Sequence, residues 1–234
     1  MLSISNLQKF YGDKKVLDIH QLTINQGESI GLVGNNGAGK STLLSLILDI
    51  IQASSGSVLS KGKAVTDSEE WKQYTGSYLN EGFLIPYLTP LEFISFVATL
   101  HQKSNEETLQ FLEENKGFIN ITKEDKTLIR DLSAGNRNKV GILAAIFSNP
   151  EILILDEPFS FLDPTSQSWL KNKLNALHEA GTTMLISSHD LGHITEISNR
   201  ILILENGILV DDKLTSSETL IELEKYFRVE SVNL

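Results

Sequence analysis

The chain has 234 residues, 41% hydrophobic and 21% charged, an ordinary balance for a globular protein with length enough for one large domain or two small ones. It contains no cysteine, which excludes a disulfide scaffold, a thiolate metal site and a cysteine nucleophile. A net charge of −10 argues against broad electrostatic binding of nucleic acid, and no such partner is expected. It leaves nucleotide binding open, because phosphate charge is met locally by backbone N–H groups and a lysine.

The first ten residues, MLSISNLQKF, have neither a basic stretch nor an apolar stretch of the secretory kind. No apolar run approaches the roughly 18 residues of a spanning helix. The runs at 43–48 and 142–147 have the length of core helices. A soluble chain is expected, with the cytoplasm as its default address.

Residues 2–10 and 16–24 read as two strands joined by a turn at Gly12-Asp13. Residues 28–33 form a short buried strand that ends in a glycine-rich loop, and Leu43, Leu44, Ile47 and Leu48 then recur at helical spacing. Short strands follow near 57–65, punctuated by Gly56 and Gly62. From 87 to 133 few β-branched runs occur, so the segment reads as a helical insertion. Its first helix starts at Pro90 with Leu91, Ile94, Val97 and Leu100 on one face, and a more polar helix runs from Glu106 to Glu114. Helix 136–147, strand 151–156, helix 164–179, strand 182–187, helix 190–197 and strand 200–205 then alternate, as in a parallel sheet with crossover helices. Asn206-Gly207 predicts a hairpin, and 216–227 a closing helix.

The loop GNNGAGKST at 34–42 satisfies the pattern Gly34-x4-Gly39-Lys40-Ser41, set between strand and helix as its chemistry requires. Its glycines let the backbone turn several N–H groups inward, and the helix behind adds its positive end. Lys40 reaches the β- and γ-phosphates, Ser41 places a hydroxyl on Mg²⁺, and Thr42 adds a contact near the α-phosphate. Alone, the loop does not separate a kinase, a GTPase and a transporter ATPase.

At 152–158, ILILDEP delivers Asp156 at the carboxyl end of an apolar strand, where such sheets place ligand chemistry. Asp156 suits Mg²⁺, and Glu157 suits orienting and deprotonating a water. Without the loop, the pair would read as capping acids before a proline turn. Tyr11, beside Phe10 at a strand end, either stacks on adenine or packs in the core. His189, two residues past strand 182–187, either hydrogen-bonds the γ-phosphate or caps a turn.

Together these segments resemble the ATP-binding cassette (ABC) family over nearly the whole chain. LSAGN at 132–136 resembles the family signature LSGGQ, and FLDP at 161–164 resembles the loop after the catalytic glutamate, with Asp163 at its aspartate position. The resemblance implies an α/β fold: a P-loop NTPase core with a mixed sheet, an N-terminal antiparallel β-subdomain and an inserted α-helical subdomain. One domain over 1–234 is expected, with 1–86 and 134–234 as core plus β-subdomain and 87–133 as the helical part. It implies catalytic roles for Glu157, His189 and Lys40, and Mg²⁺ contacts at Ser41, Glu81 and Asp156. It implies ATP contacts at Tyr11, Val16, Gly34, Asn35, Asn36, Gly37, Ala38, Gly39, Lys40, Ser41 and Thr42. Ser133 and Gly135 would touch the γ-phosphate held by a second cassette, in a head-to-tail dimer of two copies or of this chain with a related one.

Three positions depart from the pattern. Ala134 and Asn136 replace a glycine and the glutamine of the signature, and Glu81 stands where the family usually has the glutamine of its Q-loop. Glu81 either meets Mg²⁺ or its water, or is a solvated loop acid. Glutamate there resembles some exporter-type cassettes. The leading reading is the ATP-hydrolysing subunit of an ABC transporter, peripheral on the cytoplasmic face of the membrane and bound to separate transmembrane permease subunits. Phe83, Tyr87, Leu91, Phe93 and Phe96 either form a groove for such a partner or fill the helical part's own core. The alternative is a soluble ABC ATPase such as a metal-cluster-assembly ATPase.

Overall fold

A computed structural model describes the backbone of residues 1–232 and the side chains of residues 1–228; the last two residues of the expected 134–234 stretch lie outside it. Strands β1 (Leu2–Tyr11), β2 (Lys14–Ile24) and β3 (Ser29–Val33) lead into helix α1 (Lys40–Ile47). Next come β4 (Ser55–Ser60), β5 (Lys63–Ala64), a one-turn α2 (Trp71–Tyr74) and β6 (Thr75–Tyr78). A 3₁₀ turn at Glu81–Phe83 precedes α3 (Pro90–Leu100) and α4 (Asn105–Glu114), and another at Ile129–Asp131 precedes α5 (Ala134–Ile146). The chain continues through β7 (Ile152–Asp156), α6 (Pro164–Glu179), β8 (Thr183–Ser187), α7 (Leu191–Ile197), β9 (Arg200–Glu205), β10 (Ile208–Leu214) and α8 (Thr219–Val232). It divides into two compact units, Met1–Ser68 with Thr183–Leu234, and Glu69–Thr182.

The first unit holds an antiparallel sheet in the order β2-β1-β4-β5. Its strands bury one face, through Leu2, Ile4 and Leu7 on β1 and Leu17, Ile19, Leu22 and Ile24 on β2. A second set of strands places β3 between β8 and β9, parallel to both, with β10 antiparallel to β9. Every residue of β3 and β8 is buried, as expected of parallel strands covered on both faces. Asn206 and Gly207 both take positive φ and turn β9 into β10, as the dipeptide predicts.

In the second unit, β6 pairs parallel with β7. Capping boxes start both inserted helices, Thr89 with Glu92 on α3 and Ser104 with Glu107 on α4. The backbone N–H of Ser104, then the Lys103 ammonium, pull the Glu107 carboxyl down to about 2. Helix α3 buries Pro90, Phe93, Ile94 and Ala98, while Leu100 is 57% exposed. Its inner face is therefore rotated from the expected Leu91–Leu100 stripe, because Phe93 supplies the largest apolar area.

Neither α2 nor β6 was legible beforehand. β6 reads TGSY, too short and too polar to alternate, and its parallel pairing with β7 defines it, with the α5 backbone packed close behind. A Cβ on Gly76 would lie 1.9 Å from the Ala145 carbonyl oxygen. Gly76→Ala should therefore destabilise the fold by about 3 kcal/mol, at the upper end of overpacking costs, because backbone must move. Urea unfolding should show a lower midpoint at unchanged slope; a midpoint equal to the parent's would contradict the close approach.

Candidate functional site

In the first unit, five buried residues of β3 release the chain at Gly34. The Ala38 N–H donates to the Asn35 carbonyl at 3.0 Å, and the Gly207 N–H donates to the Ala38 carbonyl at 2.8 Å, so the β9–β10 turn steadies the loop. Gly37 and Gly39 have φ of 82° and 107°, a region that L side chains rarely adopt. A Cβ on Gly39 would also sit 3.2 Å from the Val16 carbonyl, which places half-buried Val16 against the loop. Asn35, Asn36 and Ser41 are exposed and Thr42 is half-buried.

Lys40 opens α1 and is only 8% exposed, its ammonium donating to the Gly34 carbonyl at 2.7 Å. Leu43, Leu44 and Ile47 anchor the helix behind it, each contributing about 1.5–3 kcal/mol of burial. A buried cation at the positive end of a helix, ringed by turned backbone, is a site built for an anion. The loop therefore fits the phosphates of a nucleotide.

His189 lies beside this loop, just past β8. A cavity of about 210 Å³ is lined by Gly34, Asn35 and Asn36 together with Ser188, His189 and Phe227. Asp190 rather than His189 caps α7, accepting from the His193 N–H at 3.0 Å. Tyr11 ends β1 opposite Lys14 and is 55% exposed, with the Lys9 ammonium 5.0 Å from its ring centroid. It is a surface aromatic, so of its two roles core packing is ruled out.

In the second unit, β7 delivers a buried Asp156 and the half-buried Glu157, which turns the chain at φ 49°. The Asn138 side-chain amide, buried on α5, donates to the Pro158 carbonyl at 2.9 Å and to the Ser160 carbonyl at 2.7 Å. It holds the turn that carries Glu157. Phe161 follows at φ 63°, and a Cβ on Gly135 would lie 2.6 Å from its carbonyl oxygen. Position 135 thus has no room for a side chain. Position 134 is the first residue of α5, where alanine fits a helix. Ser133 caps that helix, accepting from the Asn136 N–H at 3.3 Å.

Asp163 caps α6, and Ser166, then Lys139, hold its carboxyl well below the usual carboxylate range. A cavity of about 330 Å³ gathers Glu81, Ala134, Asn138, Asp156, Glu157 and Phe161. Tyr78 also lines it, its phenol pushed up to about 12 by burial and then by the Glu81 charge. The Glu81 carboxylate accepts from the Arg137 guanidinium. Of the proposed groove residues, Phe83, Tyr87 and Phe96 are exposed and Leu91 is half-buried, whereas Phe93 is buried in the unit's own core.

Residues 17–160 match the ABC transporter family. The chain belongs to that family. The cassette is 32% identical over 228 residues to the lantibiotic transport ATP-binding protein SrtF of Streptococcus pyogenes, spanning 95% of each chain. It superposes on an ATP-binding subunit of an ABC transporter with a TM-score of 0.83 at 25% identity, covering 97% of this chain and 93% of the other. A dimeric bacterial ABC transporter cassette shares the fold with a TM-score of 0.82 at 24% identity, over 93% and 100% of the two chains.

Sequence reasoning missed Asn138 and Arg137. Asn138 left a trace, as a polar residue three positions past Gly135 on a helix otherwise apolar on that side. Asn138→Ala should lower stability by about 2 kcal/mol, since it strips the partner from two carbonyls. It should also reduce ATP turnover more than ATP affinity, because the turn beneath Glu157 loosens. Urea melts and steady-state kinetics would check this; equal losses in affinity and turnover would count against the positioning.

Proposed function

We infer that this cassette is the ATP-binding and ATP-hydrolysing subunit of an ABC transporter, and one observation carries the reading: the Ser133–Gly135 signature segment heads α5 with Gly135 against the Phe161 carbonyl, in a chain whose glycine loop buries the Lys40 ammonium. Loop N–H groups from Gly34 to Thr42 cradle the phosphates, and Lys40 meets the β- and γ-phosphates. Tyr11 and Val16 flank the base and sugar side, an exposed aromatic being free to stack on adenine. Glu157 accepts the proton of the attacking water, and ATP and water become ADP and phosphate. His189 donates a hydrogen bond to the γ-phosphate.

Ser41 and Asp156 would hold Mg²⁺, since a hydroxyl and a carboxylate are the hard oxygen donors this ion takes. The ion, when bound, supplies positive charge to the β- and γ-phosphate oxygens. Ser133 and Gly135, at the N-terminus of α5, meet the γ-phosphate held by a second cassette, either a second copy or a related chain. ATP thus acts as adhesive between two cassettes, and its hydrolysis lets them part. The dimeric cassette of the same fold supports this arrangement.

Among the described residues no helix is long and apolar enough to cross a membrane. The cassette works with separate permease subunits on the cytoplasmic face of a membrane, and exposed Phe83, Tyr87 and Phe96 offer them an apolar surface. The similarity to a lantibiotic transport protein favours transport over metal-cluster assembly.

Glu157→Gln should retain ATP binding, lose about 10²–10⁴-fold in turnover and accumulate an ATP-dependent dimer in gel filtration. Undiminished turnover would sink the general-base role. Tyr11→Ala should raise the ATP dissociation constant by about tenfold with little change in maximal rate, as expected when a stacking contact worth about 1–2 kcal/mol is removed. An unchanged affinity in nucleotide titration would remove Tyr11 from the site.

A further inference from the structure

The Arg137 side chain lies in the first turns of α5 and is 24% exposed, while its partner Glu81 is 57% exposed. Its Nε donates to Glu81 Oε2, and its Nη1 donates to the Leu132 carbonyl at 2.5 Å. Leu132 immediately precedes the capping Ser133. One guanidinium therefore joins the Glu81–Phe83 turn to the residue that leads into the Ser133–Gly135 segment. That turn is itself shaped by the Gly82 N–H donating to the Asn80 side chain at 2.9 Å.

We propose that Arg137 is the positioning residue that locks the Glu81 turn to the Ser133–Gly135 segment, so that the two move as one piece during ATP binding. The proposal rests on the ATPase reading above. Glu81 then acts through Arg137, its charge met by the guanidinium rather than by the metal. Arginine suits the task, because its rigid planar fork presents N–H groups from separate nitrogens to a carboxylate and a carbonyl, whereas a lysine must reach both from one nitrogen. A lysine would keep the charge pair and hold the second contact less firmly, on a flexible stem. A glutamine at position 81 would keep a weaker hydrogen bond and lose the charge.

The full chain carrying Arg137→Met, Arg137→Lys, Glu81→Gln, or Arg137→Met with Glu81→Gln tests the lock. Amide hydrogen exchange over residues 132–136, without nucleotide, is the readout independent of turnover. Both Arg137→Met and Glu81→Gln should speed that exchange by about tenfold, and Arg137→Lys by less. In ATPase assays each of the first two should lower kcat/KM by about five- to tenfold, and the double variant should be no worse than the poorer single one. Multiplicative losses in the double variant, or unchanged exchange at 132–136 in the single ones, would overturn the proposal. If the parent chain hydrolyses no ATP, the ATPase reading fails, and the exchange result still decides the lock.

Discussion

The buried ammonium of Lys40 is the constraint around which the first unit is organised. Withdrawing a cation from water costs several kcal/mol, and placing it in the first turn of α1 sets it against the positive end of the helix. The Gly34 carbonyl offsets part of that cost, and the Gly207 N–H holds the loop in shape. An anion resolves both penalties together, so binding of phosphate is favoured by what the loop already bears. The all-buried strand β3 fixes the loop's origin, and the leucines of α1 fix its end. Between those anchors only positive φ at Gly37 and Gly39 lets the chain curl.

The parts legible in the sequence were those in which local chemistry and tertiary role agree. β3, β7 and β8 are apolar runs because they are covered on both faces, and the same burial makes their carboxyl ends fit places for Lys40, Asp156 and His189. Asn206-Gly207 announced its hairpin since the turn needs two positive φ values. β6 stayed hidden because its identity lies in partners, the β7 strand it pairs with and the α5 backbone packed on Gly76. Phe93 stayed open between a partner groove and the unit's own core because helical spacing alone does not say which way an apolar face points, and its burial decides for the core. Asn138 left only its polarity as a trace, and Arg137 left none, for a similar reason. Each matters through a carbonyl or carboxylate distant in sequence, Pro158 and Ser160 for one and Glu81 for the other.

Two of the left-handed residues of the second unit fall in one turn. Glu157 and Phe161 both take left-handed backbone, which costs an L residue about 1–2 kcal/mol each. Such strain persists only where neighbours over-determine the path. Here α5 does so, through two hydrogen bonds from Asn138 and through the missing side chain at Gly135, which admits the Phe161 carbonyl. Asp163 then caps α6 and closes the turn. One helix thus presents Ser133 and Gly135 at its head and grips the Glu157 turn one turn further on. A displacement of the α5 head is therefore felt at Glu157, the proposed general base, because packed backbone and paired carbonyls do not deform continuously. The lock between Arg137 and Glu81 extends that rigid piece to the turn before α3. In the proposed lock, the signature segment, the Glu157 turn and the Glu81 turn accordingly share one mechanical element, with α5 as their common support.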